Sequence, residues 1–246
     1  MKNLKSILLG AIVVVVLYLV YANVFRDNTT KNLNSGGNAK NAVTIQSTKL
    51  SGNSSSVDFS FSIWIYINSW EYRYGDEKVI FKRLTKEANP NDNNPTGVSP
   101  QLSLAATTND LSITMGVFDP TGTKAAPSAA DNWVIHNIPI QKWCNIIVST
   151  NNKAVDTYID GKLVNTHVLD GVPKMDKEGN IYLTPDGGFS GEHSKFRYMA
   201  RGVNPREAYE IYREGPGSNW LSDLLGQYKL KLAFMKNNEE INSFSI

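Results

Sequence analysis

The chain has 246 residues, with 25 Lys and Arg against 23 Asp and Glu, a formal net charge of +2. That balance, with no block of like charges and no interleaved basic and aromatic stretch, argues against nucleic acid as a partner. A single cysteine, Cys144, excludes an intrachain disulfide and suits a reducing setting better than a conventional secreted receptor.

In chain order, a six-residue tail (1–6) precedes an apolar run at 7–25, ILLGAIVVVVLYLVYANVF, which carries no charge. At about 1.5 Å per residue the run nearly spans the hydrocarbon core of a bilayer, about 30 Å thick. Three readings compete: a transmembrane signal anchor, a cleaved signal peptide with Lys2 and Lys5 as its basic region and Val20-Tyr21-Ala22 as its cleavage site, and a buried core helix. All-round hydrophobicity speaks against the core helix, and length beyond a usual signal core favours the anchor. Lys2 and Lys5 on one side are balanced by Arg26, Lys31 and Lys40 on the other. The short N-terminus then favours a single-pass, type II arrangement with the N-terminus on the cytoplasmic side.

Residues 26–44 read as a polar stalk rich in Asn, Ser, Thr, Gly and Lys, with one strand near 42–45. Asn28 and Asn53 stand in glycosylation sequons. From Val57 the pattern changes: in VDFSFSIWIYI every odd position through Ile67 is apolar, the period of a strand with one face in a core. Further strands are predicted at 78–84, 101–107, 111–118, 133–138, 143–150, 154–159, 162–169, 181–184, 195–200, 228–235 and 241–246. Asp160-Gly161 marks a tight hairpin between two of them. Long loops are predicted at 87–100 and 119–132. Asn204, Pro205 and Glu207 form a helix-start signal, and Ala208, Ile211 and Tyr212 one apolar face, so a short helix is expected at 205–214, closing one end of a β-sandwich. Another helical turn is expected at 219–225.

Three segments carry a resemblance. Phe59-Ser60-Phe61-Ser62-Ile63-Trp64-Ile65 resembles an early strand of the concanavalin A-like lectin/glucanase superfamily, in its laminin-G-like branch. Trp143 through Val148, with Tyr158-Ile159-Asp160-Gly161-Lys162-Leu163-Val164, resembles that branch's hairpin. Phe189-Ser190-Gly191, Phe196-Arg197-Tyr198 and then Asn204 through Tyr212 resemble its closing strand and helix. The resemblance covers about 57–215 and implies an all-β jelly-roll sandwich, placed at 45–246 with a C-terminal hairpin. The last motif, the apolar run and the Asn/Lys-rich style also resemble laminin-G-like proteins of large DNA viruses of algae and protists. That implies a virion-membrane or minor capsid-associated setting, with the lipid bilayer and a capsid or other membrane protein as partners.

The superfamily includes glycoside hydrolases with acids spaced E-x-D-x-x-E on one strand; that spacing is absent here. Glu71, Asp76 and Glu77 fall in a turn, and Asp160 is explained by its hairpin. His136, His167 and His193 have no metal-ligand spacing, Gly-x-Ser-x-Gly is absent, and no Gly-rich loop leads into Lys-Ser/Thr. The chain is therefore read as a non-enzyme. Cofactors are expected to be none; the resemblance admits calcium at a rim, near Asp119 or Asp186, without assigning a site.

Binding is what remains. Trp64 and Tyr66 lie on the face of their strand opposite the core, and Trp70 and Tyr72 keep the same parity. Aromatic rings on an open sheet face stack on sugars, so these four are the candidate carbohydrate-binding residues. The competing reading, given precedence, buries them beneath the loop at 87–100. The leading expectation is a non-catalytic, membrane-tethered structural or protein-interaction module. The alternatives are a membrane-displayed lectin and, third, a glycoside hydrolase.

Overall fold

The computed structural model describes residues 29–50, 57–84, 97–118, 127–217, 231–236 and 239–245, with side chains placed outside 127–129 and the last two segments. The apolar run at 7–25, Asn28, Asn53, Asp119, most of the loop at 87–100 and the turn at 219–225 lie outside these residues. Among the described residues, no helix is long and apolar enough to cross a membrane.

The chain folds as two six-stranded antiparallel sheets packed face to face. In chain order the strands are β1 Thr30–Asn38, β2 Val43–Ile45, β3 Phe59–Ser69, β4 Lys78–Leu84, β5 Val98–Leu104, β6 Leu111–Phe118 and β7 Pro127–Ile135. Then come β8 Trp143–Asn151, β9 Ala154–Ile159, β10 Lys162–Val168, β11 Ile181–Leu183 and β12 Ser190–Met199. The first sheet runs β1-β12-β3-β8-β9-β10 and the second β2-β11-β4-β5-β6-β7. Among the described residues one α-helix, α1, spans Pro205–Arg213. Lys231–Lys236 (β13) and Glu239–Ser245 (β14) pair as the expected terminal hairpin.

The alternation in β3 does what its period requires. Phe59, Phe61, Ile63, Ile65 and Ile67 are all buried in the core between the sheets. Phe61 is the hub of an aromatic cluster: its ring lies 5.2 Å from Phe81 of the second sheet, and 5.9 and 5.2 Å from Phe196 and Tyr198 of the first. Asp160 and Gly161 both take positive φ, 49° and 72°, the conformation a two-residue hairpin needs to match strand twist. Ile159 then pairs with Lys162.

Two expectations are corrected. Residues 30–38, read as stalk, form β1, the outermost strand of the first sheet, paired with β12 from Thr30↔Met199 to Asn38↔Glu192. Its polar sequence, TKNLNSGGN, buries only Leu33, so it carries no alternation; backbone pairing alone makes it a strand. Second, α1 does not close an end of the sandwich. It lies on the outer face of the first sheet, where Ala208 and Ile211 pack on Ile147, Tyr158, Met199 and Val203. Its start follows the sequence signal: the Asn204 side chain accepts the Glu207 N–H at 3.0 Å, and the Glu207 carboxylate accepts the Asn204 N–H at 3.1 Å.

Candidate functional site

The four aromatic candidates do not form one platform. Trp64 faces outward as its parity requires, yet is 3% exposed, because Tyr212 of α1 stacks on it at 5.6 Å and 20°. The element that covers Trp64 is the helix, and the ring is sealed from any ligand. Trp70 follows the end of β3, where strand parity no longer applies; it is half-buried against the core, with the Lys78 ammonium 4.9 Å over its ring. Tyr72 is half-buried and donates its hydroxyl to the Gly187 carbonyl at 3.1 Å. Tyr66 remains partly open, tilted against Trp143 at 5.7 Å.

Tyr66 lines a groove of about 330 Å³ across the neighbouring strands β1, β12 and β3, together with Asn38, Lys40, Asn68, Ser190, Gly191 and Glu192. Two glycines let the chain close around it. A Cβ on Gly191 would stand 1.8 Å from the Tyr66 carbonyl oxygen, and one on Gly188 2.1 Å from that of Ala39. Because neither bears a side chain, Ala39 donates its N–H to the Gly191 carbonyl at 2.9 Å, and Phe189 donates to the Ala39 carbonyl at 3.2 Å. Lys40 is held at the rim: its ammonium lies 4.3 Å over the Tyr72 ring, and its N–H donates to Asn38 Oδ1 at 2.9 Å. Tyr72 thus stands beneath the rim rather than in the groove. Arg73 and Tyr72 together brace the turn at 185–188, Arg73 donating to the Asp186 carbonyl at 2.6 Å.

The groove offers one aromatic ring, two amides, a hydroxyl, an ammonium and one carboxylate. That set can stack on a ring and exchange hydrogen bonds with several hydroxyls. Glycoside hydrolysis by the usual route needs two carboxyls flanking the bond, and Glu192 is alone among the lining residues. Asp160, Asp156, Asp76 and Glu77 have structural partners. Asp160 accepts the Asn145 N–H at 2.9 Å and pairs with Lys142 at 3.3 Å; Asp156 accepts from Thr166 at 2.6 Å. Asp76 pairs with Arg73 at 3.5 Å, and Glu77 accepts the Ser103 hydroxyl. Asp186, weighed for calcium, sits in the tight turn with φ 55°. His136 pairs with Asp110, His167 stacks on Trp133, and His193 is buried. Among the described residues no three His, Cys, Asp or Glu cluster as metal ligands.

Cys144 is fully buried, and burial pushes its thiol from 9.0 up to about 12. Burial, reinforced by the Asp156 carboxylate, also pushes the Tyr158 phenol up to about 12. In both, the folded state favours the neutral form. The stability they contribute is intact below the unfolded values and is lost as pH rises towards 12. The expected result is a urea midpoint that falls steadily above about pH 9, with Cys144 unreactive to a disulfide reagent until the protein unfolds. Thiol labelling at native rates equal to a free cysteine would contradict this burial.

Asn38, Lys40, Asn68, Ser190 and Glu192 were not legible as a group, since they come from three strands, and the turn after the first of them, that are distant in sequence. Of the lining residues, the sequence marked only Tyr66, by its place on β3.

Two face-to-face antiparallel sheets with a short helix on one outer face define an all-β sandwich. A laminin-G family model, described as concanavalin A-like lectin/glucanases superfamily, matches residues 35–207, and the chain belongs to that superfamily. No curated protein matches the chain in sequence. Among solved structures, it is similar to the botulinum neurotoxin serotype D ligand-binding domain in complex with N-acetylneuraminic acid: 14% identity, TM-score 0.52, covering 76% of this chain and 42% of that one. It is also similar to the binding domain of botulinum neurotoxin DC in complex with SialylT: 17% identity, TM-score 0.51, covering 74% of this chain and 41% of that one. At these identities the likeness is one of fold, and the chain spans about two fifths of each of these structures.

Proposed function

We propose that the chain is a non-catalytic binding module whose ligand is a glycan, held in the Tyr66 groove. The observation that carries this reading is the composition of the groove: a half-open aromatic ring among Asn38, Lys40, Asn68, Ser190 and Glu192, with no second carboxylate to cleave what it holds. The sialylated ligands of the toxin binding domains support a glycan as the partner class, although this chain matches only part of each. Tyr66 is the stacking surface, the two amides and Ser190 exchange hydrogen bonds with hydroxyls, and Lys40 meets any negative charge. Trp64, Trp70 and Tyr72 act by supporting the scaffold.

The second component of the proposal is display at a membrane surface, which rests on the length and apolarity of residues 7–25. A virion setting, with a capsid or other membrane protein as partner, rests on sequence style alone. The test is a glycan array probed with the purified chain, followed by titration of the best ligand. Tyr66→Ala is expected to weaken binding at least about tenfold, roughly 1.4 kcal/mol, with an unchanged urea midpoint. An array without signal, or binding indifferent to Tyr66→Ala, rejects the groove as a glycan site.

A further inference from the structure

Of the three histidines, His193 alone is buried. It pairs with Gly37 of β1 on one side and with Ile65 of β3 on the other. Cross-strand partners share a face, so its ring points with Ile65 into the layer between the sheets. The residue is 2% exposed, and its Nδ1 is buried without a hydrogen-bond partner. The charged groups around it are turned or held elsewhere. β3, β2 and β11 carry none. On β12, Glu192 lines the groove, Lys195 donates to the Glu214 carbonyl at 3.1 Å, and Arg197 pairs with the Glu214 carboxylate. On β1 the single charged residue, Lys31, stands at the far end opposite Tyr198, and Lys40 beyond the strand lies over Tyr72. On β4, Lys78 lies over Trp70, Lys82 pairs in register with Gln101, and Arg83 donates to the Asp176 carbonyl at 2.7 Å. Among the described residues nothing compensates a charge on His193, and burial alone holds its imidazole below the usual 6.5.

The strand beside this ring is the least anchored of its sheet. β1 is an edge strand, buries only Leu33, and passes His193 with Gly36 and Gly37. A Cβ on Gly37 would stand 3.6 Å from His193 Cε1 and 3.7 Å from Nε2, so no side chain of β1 grips the ring at that point. A protonated imidazole needs water or a counter-charge. The least costly source is to lift 34–38 away from β12, a local opening that leaves the central strands paired. The Tyr66 groove begins at the next pair: Asn38 stands opposite Glu192, and Ala39 donates its N–H to the Gly191 carbonyl at 2.9 Å. Lifting β1 therefore carries Asn38 and Lys40 away from Tyr66. We propose that His193 is a proton-operated latch, which seats β1 and completes the groove when neutral, and releases β1 and dismantles the groove when protonated. The consequence for a ligand rests on the groove being the binding site. A base whose folded state favours the neutral form contributes stability that is intact above the unfolded value and is lost as the pH falls, so release comes on the acid side.

Hydrogen exchange of the full chain in detergent, corrected for the intrinsic rate at each pH, reads the release from about pH 8 to about pH 5. Peptides from β1 are expected to lose protection at least about tenfold on acidification, while those from β3 and β8 keep theirs. His193→Gln removes the titrating group and should make β1 exchange independent of pH in this range. Gly37→Ala adds a methyl at ordinary contact distance from the ring and removes a strand glycine, so it should move the release to lower pH. Should His193→Gln fail to fold, the native profile and Gly37→Ala decide. Equal β1 protection at both ends of the range overturns the proposal. So does loss of all strands together, an equal loss in His193→Gln, or a Gly37→Ala profile identical to the native one. The exchange readout needs no ligand, so an empty glycan array rejects the glycan reading and leaves the latch to be judged by exchange alone. A glycan that stays bound while β1 opens overturns the link between latch and groove.

Discussion

Gly191→Ala is expected to abolish folding, or to lower stability by at least about 4 kcal/mol, a large part of the 5–15 kcal/mol that a domain typically has. The added Cβ would stand 1.8 Å from the Tyr66 carbonyl oxygen, 2.9 Å from its carbon and 3.1 Å from Phe189 Cε2. Two of these atoms are backbone of β3, so no side-chain rotation relieves the contact. The alternatives are to separate β12 from β3 in the middle of the first sheet, or to abandon the φ of 158° that Gly191 holds beside a register shift. Gly188→Ala meets a second form of the same problem, with a Cβ 2.1 Å from the Ala39 carbonyl oxygen and φ at 45°. Far-UV circular dichroism and urea denaturation read both. A Gly191→Ala chain with the native midpoint would mean that β12 and β3 are not in this register.

Phe61→Ala should cost about 3–5 kcal/mol, the usual range for emptying a buried aromatic site. Its ring touches both sheets, so its loss opens a cavity in the layer that joins them. Phe81 and Phe196, 4.8 Å apart, remain in contact and hold the space open, which limits collapse. Phe61→Leu should cost considerably less, because most of the volume is restored. A urea midpoint for Phe61→Ala close to that of Phe61→Leu would place the hub of the core elsewhere.

How far the fold could be read in advance depended on where its determinants lie. β3, the Asp160-Gly161 hairpin and the capped start of α1 are local patterns, and each appears where its residues put it. β1 left no such trace, because an edge strand with one buried side chain needs no alternation. Trp64 shows the same limit at the site. Period-2 spacing says which face a side chain takes, but not what lies over that face. Here the cover is Tyr212, far along the chain. The groove around Tyr66 is assembled by sheet order from segments far apart in the chain; the spacing in β3 marked Tyr66 itself, while the polar residues around it left no local pattern.

The position of β1 has a geometric consequence. The sheet begins at Thr30, and the apolar run ends at Phe25. The five Cα-to-Cα steps from Phe25 to Thr30 can span at most about 18 Å. In the membrane-tethered arrangement proposed above, the sandwich is therefore mounted on a leash too short to swing freely. One rim would rest at headgroup height, and any glycan it captures would have to belong to the same membrane or to a surface pressed against it.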